Sequence, residues 1–231
     1  MSEDTATPSV HIFGGGTLFH VRPHLALCAP AYGATARHIS DQLQHYHGVP
    51  SRLHMTKMTG AHQDLETNSD VSRRVSELVA DPSTKIIFMS AALCDFEGSI
   101  IDELADVDGH TYSFGSASSS GKDQPRLQTS TRHAHTGQDV PLKYTMFLEP
   151  AAKIIGSIRK TRKDIFLVGF KTTAGAKPQA QYEAGLKLLK QSSCNLVLAN
   201  DVHTRLNMVI TPEQARYHET TDRVEALNGL I

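Results

Sequence analysis

Short apolar and β-branched runs alternate along this chain with segments of helical periodicity. This alternation is typical of a mostly parallel sheet covered by helices, because two parallel strands need a long crossover connection between them. An α/β fold with helices on both faces of the sheet is therefore predicted. A hairpin and a short helix, in which Asp222 and Glu225 have capping-box spacing, are predicted to end the chain. The strands are predicted at residues 10–13, 51–56, 85–93, 143–148, 165–170 and 195–201, and the helices at residues 34–46, 70–80, 151–162 and 179–191, the second of them capped by Asn68 or Ser69.

The alternation breaks between residues 97 and 142, where Ser, Gly, Thr, Asp and His predominate and periodicity is weak. A long stretch without regular structure inside a compact domain indicates a functional loop. We therefore predict one domain over residues 1–231 with a flexible flap at about 97–142, of which residues 113–125 are the most mobile part.

The overall composition argues against several classes of partner. The 23 Lys and Arg residues are balanced by 24 Asp and Glu residues, so a general attraction for nucleic acid or for an anionic membrane is not expected. No run approaches the roughly 20 apolar residues of a membrane span. Three cysteines without a CxxC pair indicate a reducing, cytoplasmic compartment, and the 13 histidines include no HExxH, so no metal site is predicted.

Small and polar residues follow four of the predicted strands. In an open α/β sheet, ligands bind beyond the carboxyl ends of the strands, so these segments are expected to build one site. The glycines at 14–16 let backbone N–H groups approach a phosphate, but GGG is also simply a tight turn and matches neither GxGxxG nor a Walker sequence. Nucleotide binding and a structural turn both remain open at this point. The segments are FGGGT at 13–17, SAALCDF at 90–96, VGFKTTAG at 168–175 and LAND at 198–201.

Several segments resemble, in order and spacing, the phosphopantothenoylcysteine synthetase family. GGGT followed by Val21 and Arg22, then SAALCDF, KIIGSIRK, LVGF, a lysine-bearing helix, LVLAND and the hairpin carry this resemblance over nearly the whole chain. The resemblance implies a Rossmann-like domain, usually a homodimer, that acts in coenzyme A synthesis on small-molecule acid and amine substrates. With Mg²⁺ and CTP or ATP, the acid becomes an acyl nucleotidyl ester, and the amine then attacks this ester to form an amide.

The resemblance also implies roles for individual residues. Asp95 matches an aspartate placed at the nucleotide, and Arg126 keeps a positive charge where the family's flap has a lysine, so these two are the candidate catalytic residues. Asn200 is interpreted as a rim residue that pins neighbouring loops, and Asp201 as serving either the site or the turn. The residues expected to contact the nucleotide are Gly14, Gly15, Gly16, Thr17, Ala92, Asp95, Ala152, Lys153, Ile154, Ile155, Phe170, Lys187, Lys190 and Asn200.

The acid-binding half of the resemblance is incomplete. The family carries an Asn-x-Ser-Ser-Gly segment shortly after its Val-Arg. Alignment on Gly33 puts Ala26 in the place of the Asn, and Cys28, Ala29 and Pro30 in the place of Ser-Ser-Gly. Donors for a substrate phosphate are therefore missing there, and we expect weak or no ligation of 4′-phosphopantothenate to cysteine.

Three hypotheses follow from these observations. The first is a nucleotide-dependent acid–amine ligase whose acid has changed, and the second is a non-catalytic nucleotide- or ligand-binding protein of the same fold. The third, a nicotinamide oxidoreductase, is disfavoured because the sequence has neither GxGxxG nor Tyr-x-x-x-Lys. Cys28 is interpreted as a small buried residue rather than a nucleophile.

Overall fold

The structure is a computed structural model that describes residues 9–62, 64–103, 113–114, 121–132 and 137–231. Every predicted strand and helix is present, with boundaries shifted by up to four residues. The strands are β1 (Ser9–Gly14), β2 (Leu18–Arg22), β3 (Leu25–Cys28), β4 (Ser51–Met55), β5 (Thr84–Met89), β6 (Phe96–Glu103), β7 (Ser113–Phe114), β8 (Ser130–Arg132), β9 (Asp139–Pro141), β10 (Thr145–Pro150), β11 (Phe166–Thr173), β12 (Leu196–Asp201), β13 (Asn207–Ile210) and β14 (Arg216–Thr220). The helices are α1 (Ala34–His47), α2 (Asn68–Ala80), α3 (Ile155–Thr161), α4 (Pro178–Ser192) and α5 (Arg223–Asn228).

The central sheet has the strand order β14-β13-β12-β11-β5-β1-β4. The five strands from β4 to β12 in this order are parallel, β13 is antiparallel to β12, and β14 is antiparallel to β13. The chain moves from β1 outward to β4 and then returns to place β5 on the other side of β1. This is a doubly wound sheet whose order reverses between β1 and β5, and it confirms the predicted Rossmann-like α/β fold.

Helices cover the sheet on both faces. One set comprises α1, which packs on β1 and β4 and also contacts α5, and the other set comprises α2, α3 and α4, which pack successively on one another. The predicted apolar stripes are buried, with Ile39 of α1 and Val71 of α2 fully inaccessible to solvent. Each aliphatic side chain buried in this way contributes about 1.5–3 kcal/mol relative to its exposed state. The apolar side chains that give the sequence its helical periodicity therefore pack these helices onto the sheet.

The N-terminus of α2 corrects a prediction. Thr67 is the N-cap, because its side chain accepts the Asp70 N–H while the Asp70 carboxylate accepts the Thr67 N–H at 2.9 Å. This is a complete capping box. The prediction of Asn68 or Ser69 as the cap is wrong, since the extended backbone that an N-cap requires falls on Thr67.

The capping box predicted for α5 is only half formed. The Asp222 carboxylate accepts the N–H groups of Val224 and Glu225, as an N-cap should. The Glu225 carboxylate does not return to the cap backbone but accepts the Thr220 hydroxyl at 2.8 Å. The Asp222 N–H donates to the same hydroxyl oxygen at 3.1 Å, so Thr220 replaces the expected direct contact.

The described residues divide into two compact units. The sheet unit contains β1, β4, β5, β11 to β14 and the five helices, and the insert unit comprises Leu18–Ala29 and Leu93–Ala152. The prediction of one domain over residues 1–231 stays a prediction. None of the helices in the described ranges is long and apolar enough to cross a membrane.

The insert unit contains regular structure that the sequence analysis missed. β2 and β3 form an antiparallel hairpin, and β6 pairs antiparallel with β10 over six residues. The expectation of little regular structure from residue 97 onward is therefore wrong for β6, whose mixed sequence FEGSIIDE becomes a strand through pairing rather than through an apolar run. Residues 104–112, 115–120 and 133–136 of the predicted flap lie outside the described residues.

Two histidines form a stacked pair in the sheet. His11 of β1 is 1% exposed, and its Nδ1 lies 3.0 Å from Nε2 of His54 in β4. Burial, followed by the neighbouring His11 and the positive charges of Arg74 and Arg52, lowers the pKa of His54 to about 4. Burial also lowers the pKa of His11. The folded state therefore favours neutral rings.

We expect the variant His54→Gln to lose less stability in acid than the wild type. The unfolded chain binds a proton at His54 with a pKa of about 6.5, and the folded chain does so only near 4. Wild-type stability should therefore fall as pH decreases between these values, by on the order of 2 kcal/mol from pH 7 to pH 5 at this one residue. Urea unfolding at both pH values measures the difference, with the exposed His47→Gln as control. Identical pH dependence in the wild type and His54→Gln would contradict this account.

Candidate functional site

The carboxyl ends of β1 and β5 meet where the strand order reverses. Gly16, just after β1, forms a parallel bridge with Ala92, just after β5. The Ala92 N–H donates to the Gly15 carbonyl at 2.9 Å. In doubly wound sheets, ligands bind at this reversal. The structure thus brings two of the four predicted segments together at the position where the fold provides a crevice.

Close packing explains the first two glycines of this segment. A Cβ atom on Gly14 would collide with the Cβ atom of Ala36 in α1. A Cβ atom on Gly15, which has φ +95°, would collide with the Thr56 side chain. Both glycines are therefore required by contacts within the protein, and they also hold α1 and the end of β4 close to β1.

Backbone hydrogen bonds already use part of the same segment. The Gly16 N–H donates to the Ala31 carbonyl at 2.8 Å, and the Thr17 N–H donates to the Ala92 carbonyl at 3.0 Å. The side chain of Thr17 is fully buried and donates to Asn68 Oδ1 at 2.6 Å. Fewer donors are therefore available for a phosphate than the sequence suggests.

Asp201 is the most extensively bonded side chain at this edge of the sheet. It is 2% exposed, although it ends a strand. Its hydrogen bonds, first the one from the Thr204 N–H, hold its pKa well below the ordinary value in spite of burial. The structure shows the turn role of Asp201, because its carboxylate joins the loop after β11 to the turn after β12; its role in a site stays a prediction. The donors are the N–H groups of Gly175, Ala176, His203 and Thr204 and the hydroxyl of Thr173, all at 2.9–3.1 Å.

Asn200 and Phe170 lie on neighbouring strands of the same edge. Asn200 is half-buried, and its Oδ1 accepts the Thr172 hydroxyl at 3.1 Å, which links the ends of β12 and β11. Its amide nitrogen makes no hydrogen bond within the described part of the chain and is available to a ligand. Phe170 is half-buried and packs against the core of the sheet unit. Asn200 therefore has both a linking role and a spare donor.

The segment before α3 combines one exposed and two buried side chains. Lys153 is exposed, whereas Ile154 and Ile155 are 7% and 9% exposed. The two isoleucines anchor the start of the helix, and Lys153 is the exposed side chain of the three. The sequence prediction of a backbone contact to a base at this segment stays a prediction.

The two lysines of α4 lie far from this edge of the sheet. α4 begins at Pro178, close to the Asp201 hydrogen bonds, and a rise of 1.5 Å per residue puts Lys187 and Lys190 roughly 14 and 18 Å further along the helix. Lys190 Nζ donates to Gln214 in the β13–β14 turn at 3.4 Å. That turn lies at the amino-terminal ends of the parallel strands, opposite to the edge described above. The structure therefore does not bring these lysines together with the glycine segment within the sheet unit.

Three of the proposed nucleotide or catalytic residues, Asp95, Arg126 and Ala152, belong to the insert unit and are exposed. The Asp95 carbonyl accepts the Ala151 N–H at 2.8 Å, which ties the entry and exit of this unit together. Over the described ranges, no group of three His, Cys, Asp or Glu side chains is arranged to hold a metal ion.

The first part of the segment aligned with Asn-x-Ser-Ser-Gly lies in a strand. Ala26 and Cys28 lie in β3, and both are exposed. The interpretation of Cys28 as buried is wrong, because β3 leaves this side chain on an uncovered position of the hairpin. The other two cysteines are buried, and burial raises the pKa of Cys194 to about 12.

The sequence analysis did not single out three residues that line a pocket beside Asp201. Arg205 precedes β13, Asn207 begins it, and Arg223 begins α5. The strand-end rule used on the sequence considers only the ends of parallel strands. Extending the rule to the starts of antiparallel strands, which lie at the same edge of the sheet, could have drawn attention to Arg205 and Asn207.

Comparison with known proteins gives a fold but no sequence match. No family model and no curated protein matches the sequence. The DNA/pantothenate metabolism flavoprotein from Streptococcus pneumoniae has a similar structure, with TM-score 0.69, 18% identity and 96% of each chain covered. The C-terminal domain of the coenzyme A biosynthesis bifunctional protein CoaBC is similar with TM-score 0.61 and 12% identity over 96% of this chain and 91% of that chain. A Cab2 mutant in complex with phosphopantothenate-cysteine is similar with TM-score 0.59 and 12% identity over 96% and 84%. These similarities confirm the fold that the sequence resemblance implied.

We expect Asp201→Asn to destabilise the sheet unit at neutral pH. The amide presents an N–H group where the carboxylate accepts N–H groups, so at least one buried donor loses its partner. The folded pKa of Asp201 is depressed, so its contribution is present above the unfolded pKa of about 3.9 and is lost as pH falls toward the lower folded pKa. Melting at pH 7 and pH 3, with the exposed Asp41→Asn as control, should show a stability difference from wild type that shrinks in acid. Equal melting temperatures of Asp201→Asn and wild type at pH 7 would contradict this role.

Proposed function

We propose that this chain is a nucleotide-dependent acid–amine ligase of coenzyme A-related metabolism whose acid differs from 4′-phosphopantothenate. One observation carries the proposal. The glycine segment and Ala92 meet at the reversal point of a fold that is shared, over 96% of the chain, with a domain of a coenzyme A biosynthesis protein. Ligands of doubly wound folds bind at this reversal. The three free cysteines agree with a cytoplasmic enzyme.

The residues at the edge of the sheet unit fit a nucleoside triphosphate in part. Asn200 has a spare amide donor, and Lys153 is an exposed cation. The N–H groups of Gly16 and Thr17 are already bonded within the protein. CTP or ATP with Mg²⁺ would therefore be held mainly by side chains and by the backbone before α3, and the nucleotide would supply the leaving group that a free carboxylate lacks.

In the proposed reaction, an oxygen of the substrate carboxylate bonds to the α-phosphorus while the bond from that phosphorus to pyrophosphate breaks. The amine nitrogen then bonds to the acyl carbon and loses a proton, and the nucleoside monophosphate leaves. Cationic groups stabilise the charge that moves onto pyrophosphate. Arg126 is assigned this role from the resemblance, and Asp95 is assigned to the nucleotide.

A second candidate function is a binding protein of the same fold without ligase activity. The specific observation in its favour is the strand β3, which offers the apolar Ala26 and the thiol of Cys28 where the family has hydrogen-bond donors. A protein that binds nucleotide and releases no pyrophosphate would match this candidate.

Calorimetry and a pyrophosphate assay test the two candidates together. We expect CTP or ATP with Mg²⁺ to bind, and pyrophosphate to be released with at least one acid and amine of a panel.

Asp95→Ala should weaken nucleotide binding without lowering the melting temperature, because Asp95 is an exposed side chain. The control is Asp139→Ala, at an exposed residue of the same unit. With 4′-phosphopantothenate and cysteine, turnover should stay below about 1 s⁻¹. Absence of binding by CTP, ATP, GTP and UTP would overturn the central proposal.

We also propose that the protein is a homodimer assembled through β10. All six residues of this strand are exposed, and Met146, Phe147 and Leu148 are 38%, 49% and 49% exposed. β10 pairs with β6 on one side and has no pairing partner on the other among the described strands. An open apolar edge strand readily pairs with another strand. A second copy fits this edge, because two antiparallel β10 strands related by a twofold axis would cover the same side chains on each other.

Light scattering of the purified protein should give twice the chain mass. Phe147→Asp should shift the mass toward the monomer, because it puts a charge on the proposed edge contact. Tyr46→Asp, on an exposed aromatic residue of α1, is the matched control and should leave the mass unchanged. A wild-type monomer at tens of micromolar would exclude this assembly.

A further inference from the structure

A pocket of about 610 Å³ lies beside Asp201 at the carboxyl edge of the central sheet. Its walls come from the end of β12, the turn after it, the start of β13 and the start of α5. This volume is within the range of small-molecule sites. All of these elements belong to the sheet unit. The lining residues include two arginines, Arg205 and Arg223, and two asparagines, Asn200 and Asn207.

The two carboxylates of the pocket are committed to donors within the protein, most of them backbone N–H groups. Asp201 accepts five hydrogen bonds, and Asp222 caps α5 by accepting the N–H groups of Val224 and Glu225. Neither carboxylate makes an ion pair with an arginine of the pocket in the described residues. The lining thus carries two arginines and two carboxylates, but the carboxylates are held by other donors and leave both guanidinium groups without a direct counterion.

Arg223 is a half-buried cation with neutral partners. Its Nη1 donates to Asn207 Oδ1 at 3.0 Å, and its Nη2 donates to Thr35 Oγ1 at 3.4 Å. Burial lowers its pKa below the ordinary arginine value. Buried charges in proteins are usually paired with an opposite charge, because desolvation without a partner is expensive. An anion in the pocket would supply this partner.

Arg205 stands at the opening of the pocket in an unusual conformation. Its φ is +60°, in the left-handed region that glycine and asparagine prefer. Its side chain is exposed and makes no hydrogen bond or ion pair within the described ranges. Arg205 therefore adds an exposed cation without a partner in the described ranges to the lining of the pocket.

We propose that this pocket is an oxyanion-binding subsite, in which Arg205, Arg223 and the spare amide of Asn200 bind a phosphate or carboxylate group. Guanidinium groups form paired, charge-assisted hydrogen bonds with both kinds of anion. The subsite goes beyond the proposed ligase function, because it requires neither a nucleotide nor a reaction.

Titration calorimetry with sodium phosphate and, separately, sodium succinate tests the subsite at constant ionic strength set with sodium chloride. Binding of phosphate alone identifies a phosphate subsite, and binding of succinate alone identifies a carboxylate subsite. The key variant is Arg205→Gly, which removes the charge and suits the left-handed backbone. It should retain or increase the melting temperature while weakening anion binding about tenfold or more. Arg73→Ala, which removes an exposed arginine of α2, is the control and should bind as the wild type does.

Arg223→Lys provides a second, independent measurement. It keeps the charge but loses the planar fork, so it should also weaken anion binding. Nitrogen–proton resonances of the Arg205 and Arg223 guanidinium groups should shift on titration in the wild type. No heat and no shift with either anion up to about 10 mM, or equal binding by the wild type and Arg205→Gly, would overturn the proposal. Failure to bind CTP or ATP would leave the phosphate and succinate results unaffected, so the two proposals fail separately.

Discussion

The carboxylate of Asp201 is the interaction on which the edge of the central sheet depends. A strand that ends in a buried charge is unfavourable unless its oxygens are fully bonded, and here four backbone N–H groups and one hydroxyl surround them. These donors come from two different loops. The carboxylate therefore orders both loops, positions the start of α4 and shapes one wall of the pocket that contains Arg205 and Arg223.

A second constraint is the close approach of backbone at the reversal point. Gly14 and Gly15 leave no room for side chains, since α1 and Thr56 occupy the space. The following residues join β1 to Ala92 through hydrogen bonds. The glycine segment, which suggests phosphate binding in the sequence, thus acts first in close packing and strand pairing within the protein. Any nucleotide at this edge must rely more on side chains than the motif suggests.

A third feature is a half-buried cation in the sheet unit. Arg223 donates to Asn207 and Thr35, both neutral side chains, and makes no ion pair with the carboxylates of its pocket in the described residues. A partly desolvated charge with only neutral partners is less favourable than a paired one. This is the physical basis of the proposed anion subsite.

The sequence by itself determined the α/β class, the parallel strands and the helices on the sheet, because apolar periodicity reports local burial and strands such as residues 196–201 carry it plainly. It also indicated which strand ends lie at the carboxyl edge of the sheet. Tertiary structure decided the rest. β6 and the β2–β3 hairpin form through partners distant in sequence, so their mixed composition gives no local signal. The position of Lys187 and Lys190 depends on the direction of α4, and the roles of Asp201, Arg205 and Arg223 depend on loops that meet only in the folded chain. Hydrogen-bond satisfaction and the pairing of buried charge are properties of three-dimensional neighbours, and sequence spacing does not contain them.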